Sequence, residues 1–182
     1  MGNIKTGAGI LCFALALASA PALAQDPDSL AAERERQNQV SGASSVQVLA
    51  RLLEEALQQT TFDPLRQHLA DKQVYDKMLQ LGSASVREAL LLYTPTDMLM
   101  DFQKDFGNVI RDGITQEVNW PATRLQKITA DTVAEQNAII IPVRLQLSSP
   151  SYLPVEVEFN AARLDGRYYY LPPLRIPSKD LD

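Results

Sequence analysis

The sequence predicts an α+β domain in which N-terminal amphipathic helices pack on a C-terminal antiparallel, curved, four-stranded sheet. Three observations predict it. Between residues 46 and 113 apolar residues recur at helical spacing. After Gly113 the spacing shortens to two. The last alternating stretch contains Asp165-Gly166, a pair suited to a two-residue hairpin because both turn positions need positive φ. Helices that precede strands, rather than alternating with them, call for an antiparallel meander.

The first helix is expected after a Ser44-x-x-Gln47 capping box, with Val46, Leu49, Leu53, Ala56 and Leu57 on one stripe. Asp63-Pro64 opens a second, running either continuously or with a break through Leu69, Tyr75, Met78 and Leu79 to Gly82. Ser85-x-x-Glu88 caps a third, which aligns Val86, Ala89, Leu90 and Tyr93. Thr94-Pro95-Thr96-Asp97 starts a fourth, ending near Gly113, whose stripe is Met98, Phe102, Phe106, Val109 and Ile110. Trp120 then fits as a packing plug between layers. Leu125 to Ala130 reads as a short strand, and Asn137 to Leu147 as a longer one in which Pro142 marks an edge or a bulge. Val155, Val157, Phe159 and Ala161 alternate with Glu156, Glu158, Asn160 and Ala162 in the third strand. The fourth is the tyrosine run, stopped at Pro172-Pro173.

The start of the chain bounds where the protein works. Residues 1–24 combine Lys5, an apolar run from Ile10 to Ala18 and Ala22-Leu23-Ala24 before Gln25. That is the pattern of a bacterial Sec-type signal peptide, and the run is too short to span a bilayer. A periplasmic or secreted protein follows, with no stable membrane insertion after cleavage. Residues 25–44 read as a flexible tether, 45–174 as one domain and 175–182 as a tail. The chain's one cysteine, Cys12, lies in the leader, so the expected mature chain has no disulfide, thiol nucleophile or thiolate metal site. Loss of Lys5 leaves 16 basic residues against 22 acidic ones. Such a balance argues against nucleic acid as a partner.

Little catalytic chemistry is visible. His68 is the only histidine. Asp63 and Asp71 lie near it, and the three could in principle hold a metal, but the expected reading is a surface histidine with a local contact. No H-E-x-x-H, G-x-S-x-G or S-x-x-K occurs, and no glycine-rich phosphate loop. Asp97, Asp101 and Asp105 read as a solvated helix face. A buried acid working with a tyrosine hydroxyl would need a carboxylate on an apolar stripe, and Glu156 and Glu158 are expected to point outward.

Counting outward from Asp165-Gly166 sets the register of the last hairpin: Leu164 faces Arg167, Arg163 faces Tyr168, Ala162 faces Tyr169 and Ala161 faces Tyr170. Tyr168 and Tyr170 therefore share the face of Val155, Val157 and Phe159, while Tyr169 joins Glu156 and Glu158. Phe159, Tyr168, Tyr170, Phe102 and Phe106 are the candidate walls of a ligand cavity, with core packing the plainer reading. Tyr169, Glu156 and Glu158 form the candidate interaction surface.

The succession LQKITADTVAEQNAIIIPVRLQLSSP and PVEVEFNAARLDGRYYYLPP resembles the end of exported domains with the nuclear transport factor 2-like, cystatin-like cone fold. The resemblance implies N-terminal helices in a strongly curved antiparallel sheet, with a concavity that serves small ligands, catalysis or assembly. The functional expectation is a non-catalytic exported binding or interaction domain, an envelope accessory with a protein partner and no cofactor. A cavity binder of an apolar small molecule or lipid is the first alternative, and a cone-fold isomerase or hydrolase the second.

Overall fold

The computed structural model describes residues 41–130, 139–149 and 152–177; the expected signal peptide and most of the expected tether lie outside the described residues. Among the described residues, four helices precede a four-stranded antiparallel sheet, as expected. They are α1 (Val46–Gln59), α2 (Lys72–Leu81), α3 (Ala84–Leu90) and α4 (Pro95–Thr115). A 3-10 segment, Asp63–His68, separates α1 from α2, and a second, Trp120–Ala122, leads into the sheet. The strands are β1 (Arg124–Ala130), β2 (Ile140–Ser149), β3 (Tyr152–Leu164) and β4 (Arg167–Arg175), in that spatial order.

Local chemistry sets the helix ends, sometimes one or two residues from where the sequence pointed. Ser45 rather than Ser44 caps α1, accepting the Val48 amide at 3.2 Å. Asp71 caps α2 through the Val74 amide at 2.9 Å, and Ser83 rather than Ser85 caps α3. Thr94 and Asp97 form a reciprocal capping box on α4. Those hydrogen bonds from Thr94 hold the Asp97 carboxyl below its ordinary value.

Apolar residues collect in two clusters on opposite faces of the sheet. The larger one joins α1, α4 and Trp120 to Ile141, Val143, Leu145, Leu147, Val155, Val157, Phe159, Ala161 and Tyr170. The smaller one joins Val74, Tyr75 and Met78 of α2 and Leu90 of α3 to Ala162, Leu164 and Leu171. Helices thus cover one face broadly and only the hairpin end of the other, where a single covered face was expected. The split follows from alternation: Ala161 and Tyr170 point to one side, Ala162 and Leu171 to the other.

The hairpin register matches the count from the turn at every pair from Leu164↔Arg167 to Ala161↔Tyr170. Asp165 and Gly166 have φ of 50° and 73°, as a type I′ turn requires. Two expectations fail nearby. β4 does not stop at Pro172-Pro173 but continues to Arg175, because the prolines sit in a register shift between the pairs Asn160↔Leu171 and Glu158↔Arg175. Pro142 lies in an inner strand rather than at an edge, paired with Asn160 of β3, and the described β1–β2 pairs run as far as Ala130↔Val143.

β4 is covered along its length. Ala43, within the stretch expected as tether, is buried and exchanges both backbone hydrogen bonds with Tyr168, at 2.8 and 2.9 Å. The Ala70 amide donates to the Tyr170 carbonyl at 3.3 Å, and the Leu174 amide to Asp105 at 3.1 Å. Asp105 is therefore a docking contact between α4 and β4 rather than part of a solvated face. Ile176, in the expected tail, packs on the larger cluster.

Candidate functional site

The five candidate cavity residues lie in or against the larger cluster. Phe102 and Tyr170 ring centroids are 5.2 Å apart, and Phe159 and Tyr170 5.3 Å. Phe62, which the sequence reading did not single out, joins Phe106 at 5.5 Å and Phe102 at 6.4 Å. These separations are those of rings in contact. Tyr170 is fully buried, and its hydroxyl donates to the Leu49 carbonyl on α1. Burial holds that hydroxyl well above its ordinary ionisation range. Tyr168 is half-buried against the same cluster.

The candidate interaction residues share a face by register but not a setting. Glu156 and Glu158 lie on its open half, paired with Gln146 and Arg144 of β2. Tyr169 lies at the hairpin end beneath α2, half-buried in the smaller cluster with its ring against Gly42. Burial, reinforced by the nearby Asp71 carboxylate, raises its hydroxyl. The three do not form one surface.

Two titratable groups sit where the sequence did not put them. His68 is fully buried, not a surface residue, because the backbone just after it pairs with β4. Asp71 is spent on the α2 cap and Asp63 pairs with Arg66 at 3.0 Å. No group of three or more His, Cys, Asp or Glu residues among the described residues could hold a metal. Glu54 is a buried carboxylate on α1 that the sequence reading did not single out. Its oxygens accept from the Leu125 amide at 2.7 Å, from Arg51 at 3.0 Å and from Gln58 at 3.5 Å. Gln58 also donates to the Thr123 carbonyl at 2.8 Å. Together they latch α1 to the start of β1.

Two surface features stand out instead. The first is the corner between α3 and α4. Leu91, Leu92 and Tyr93 are 73%, 81% and 44% exposed, and Leu99 and Met100 on the opening turns of α4 are also exposed. The corner is not frayed. Leu91, Leu92 and Tyr93 donate their amides to Arg87, Ala89 and Leu90. The buried Tyr75 ring places its hydroxyl 3.0 Å from the carbonyls of both Leu90 and Tyr93, and its one proton serves either. The Thr94 box closes the corner on the other side. The charged residues nearest in sequence are Arg87, Glu88, Asp97, Asp101 and Lys104.

The second is a cleft of about 460 Å³ on the half of the sheet that no helix among the described residues covers, lined by Thr129, Arg144, Glu158, Asn160, Pro173 and Arg175 among others. One register line crosses all four strands at its floor: Thr129↔Arg144, Arg144↔Glu158, Glu158↔Arg175. Glu158 is gripped from both sides. Arg144 reaches it at 2.5 Å and 2.8 Å, and Arg175 through two nitrogens at 3.2 Å. Arg144 also lies 3.7 Å from Glu156. The Asn160 side chain donates to the Pro172 carbonyl at 3.0 Å and so fixes the proline bulge at the rim.

The outward face of Glu156 and Glu158 was legible from alternation, but the arginines that grip Glu158 were not singled out. The apolar corner was not legible, because Tyr93 reads as part of a buried stripe. Comparison of the chain with protein-family models, curated proteins and solved structures returns no match.

Proposed function

We propose that this chain is an exported, non-catalytic interaction domain that docks a protein partner of the cell envelope through the α3–α4 corner. The observation that carries the reading is the rigid display of Leu91, Leu92 and Tyr93 beside Leu99 and Met100. Large apolar side chains grouped on a surface favour a partner, since covering them releases water at roughly 25 cal/mol per Å². A corner already held by Tyr75 and the Thr94 box loses little conformational freedom on docking. A protein fits better than an anionic lipid surface, because the chain carries a formal charge of −5 and three of the five charged residues near the corner are acidic. The partner face is apolar with a basic margin.

The resemblance to the cone fold belongs to the same proposal and is supported by the order of elements, helices first and an antiparallel meander second. Export rests on the N-terminal sequence pattern. An apolar-ligand cavity draws less support, because Phe102, Phe159 and Tyr170 occupy the space it would need. An enzyme reading would turn on Glu54, and its oxygens are engaged in the α1–β1 latch.

The test places a photo-crosslinking amino acid at Leu92 in the full chain, expressed in a bacterial host with its leader. One envelope protein should be captured, and the purified pair should then bind directly. Leu91→Ser with Leu99→Ser should abolish capture and shift stability by no more than about 0.5 kcal/mol per site, as exposed substitutions do. Crosslinks only to lipid, only to a second copy, or to nothing would overturn the proposal.

A further inference from the structure

We infer that the cleft across the open half of the sheet is a second, separate binding site, and that it takes a small ligand bearing an anionic oxygen group, carboxylate or phosphate. Local charge is the first argument. Within a chain of net charge −5, the charged side chains around the cleft among the described residues are Lys127, Arg144 and Arg175 against Glu156 and Glu158. Three cations face two carboxylates, so this patch is positive where the molecule is negative.

Geometry is the second argument. Glu158 is only 18% exposed while Arg144 and Arg175 are 55% and 64% exposed. The carboxylate sits low, between two guanidiniums that stand above it. Each arginine spends Nε and one terminal nitrogen on Glu158, and its other terminal nitrogen has N–H groups to offer. Glu158 thus acts as a post that fixes two arginines in one line. Guanidinium donors in a fixed fork match the paired oxygens of carboxylate and phosphate. Because the arginines are already positioned, binding orders little.

The walls give the third argument. Pro142 and Pro173 line the cleft, as do the polar side-chain ends of Thr129 and Asn160. Prolines add apolar surface without a backbone donor, so the hydrogen-bonding power of the site is concentrated in the two arginines and the two polar ends. A volume of about 460 Å³ is within the range of small-ligand sites and exceeds what a bare anion needs. The ligand therefore carries an organic portion beyond its anionic group.

The experiment titrates the isotope-labelled protein, residues 25–182 preceded by Met, with tri-alanine, tri-alanine amide and inorganic phosphate, following backbone and arginine Nε signals. Tri-alanine is expected to shift Thr129, Arg144, Glu158, Asn160 and Arg175, and the amide is not. Binding of phosphate but not tri-alanine keeps the anionic site and assigns it to phosphate chemistry. Arg144→Gln and Arg175→Gln should each weaken binding about tenfold, the loss of one charge-assisted contact. Lys72→Gln, which changes net charge equally outside the cleft, should leave it unchanged. No shift with either anion at about 10 mM, the weak end of specific binding, would overturn the inference. So would equal weakening by Lys72→Gln, since that would report general charge attraction rather than a site.

Discussion

Tyr170 shows how one side chain can tie three elements. Its ring touches Phe102 of α4 and Phe159 of β3, and its hydroxyl donates to Leu49 on α1. Tyr170→Phe keeps the ring and removes the donor, so it should cost about 1 kcal/mol at neutral pH. The alkaline limb gives a second reading. The folded hydroxyl titrates above its unfolded value near 10.0, so its contribution is complete below pH 10.0 and is lost as pH rises toward the folded value. The gap between the two proteins in urea unfolding should therefore narrow above pH 10 and then reverse; a constant gap would show that the hydroxyl is not held neutral by the fold. This residue was legible in the sequence, because a turn fixed its partner and parity fixed its face. Tyr169 and His68 were not. The first is covered by Gly42 and the second is buried beside a backbone pairing with β4, contacts that span a hundred residues or more. Glu54 was missed for a related reason: its partner, the Leu125 amide, lies in a different layer.

Among the elements, α4 carries the most varied duties. Its N-terminal turns display Leu99 and Met100, its middle packs Phe102 and Phe106, and Asp105 receives β4. Its last turn receives Trp120, whose indole N–H donates to the Ile110 carbonyl at 3.1 Å. The tryptophan fits only because residue 113 has no side chain: a Cβ there would fall 2.1 Å from the indole ring. Gly113→Ala should therefore destabilise by about 1–3 kcal/mol, the usual range for overpacking, although alanine is the better helix former. Chemical unfolding followed by Trp120 fluorescence reads both stability and displacement of the ring. Stabilisation would mean that the helix end and the plug are not in contact. The sequence disclosed the helix, its cap and its stripe. It did not disclose that Asp105 leaves the charged face to hold a strand, since helical periodicity says nothing about which backbone amide lies opposite.

The two clusters divide the molecule into layers of unequal strength. Among the described residues, 26 buried apolar residues make up the larger cluster and nine the smaller. The α2–α3 pair is held to the sheet through that smaller set, with the Lys77–Asp165 ion pair at the hairpin tip as an exposed addition. Apolar burial is the main favourable term in folding, so the α2–α3 layer has less to lose on opening than α1 with β2 and β3. Native-state hydrogen exchange should then show α2 and α3 amides opening at a lower free energy than those of Val143, Leu145 and Val157, as a separate unit. Met78→Ala should lower protection in α2 and α3 while leaving the β2–β3 amides at their global value. The corner bearing Leu91 and Leu92 is continuous with this layer through Tyr75, so a partner seated there should raise α2 and α3 protection toward that of the sheet. If α2 and α3 exchange only with the sheet, the molecule is one cooperative unit, and docking at the corner would act on global stability rather than on the helical layer alone.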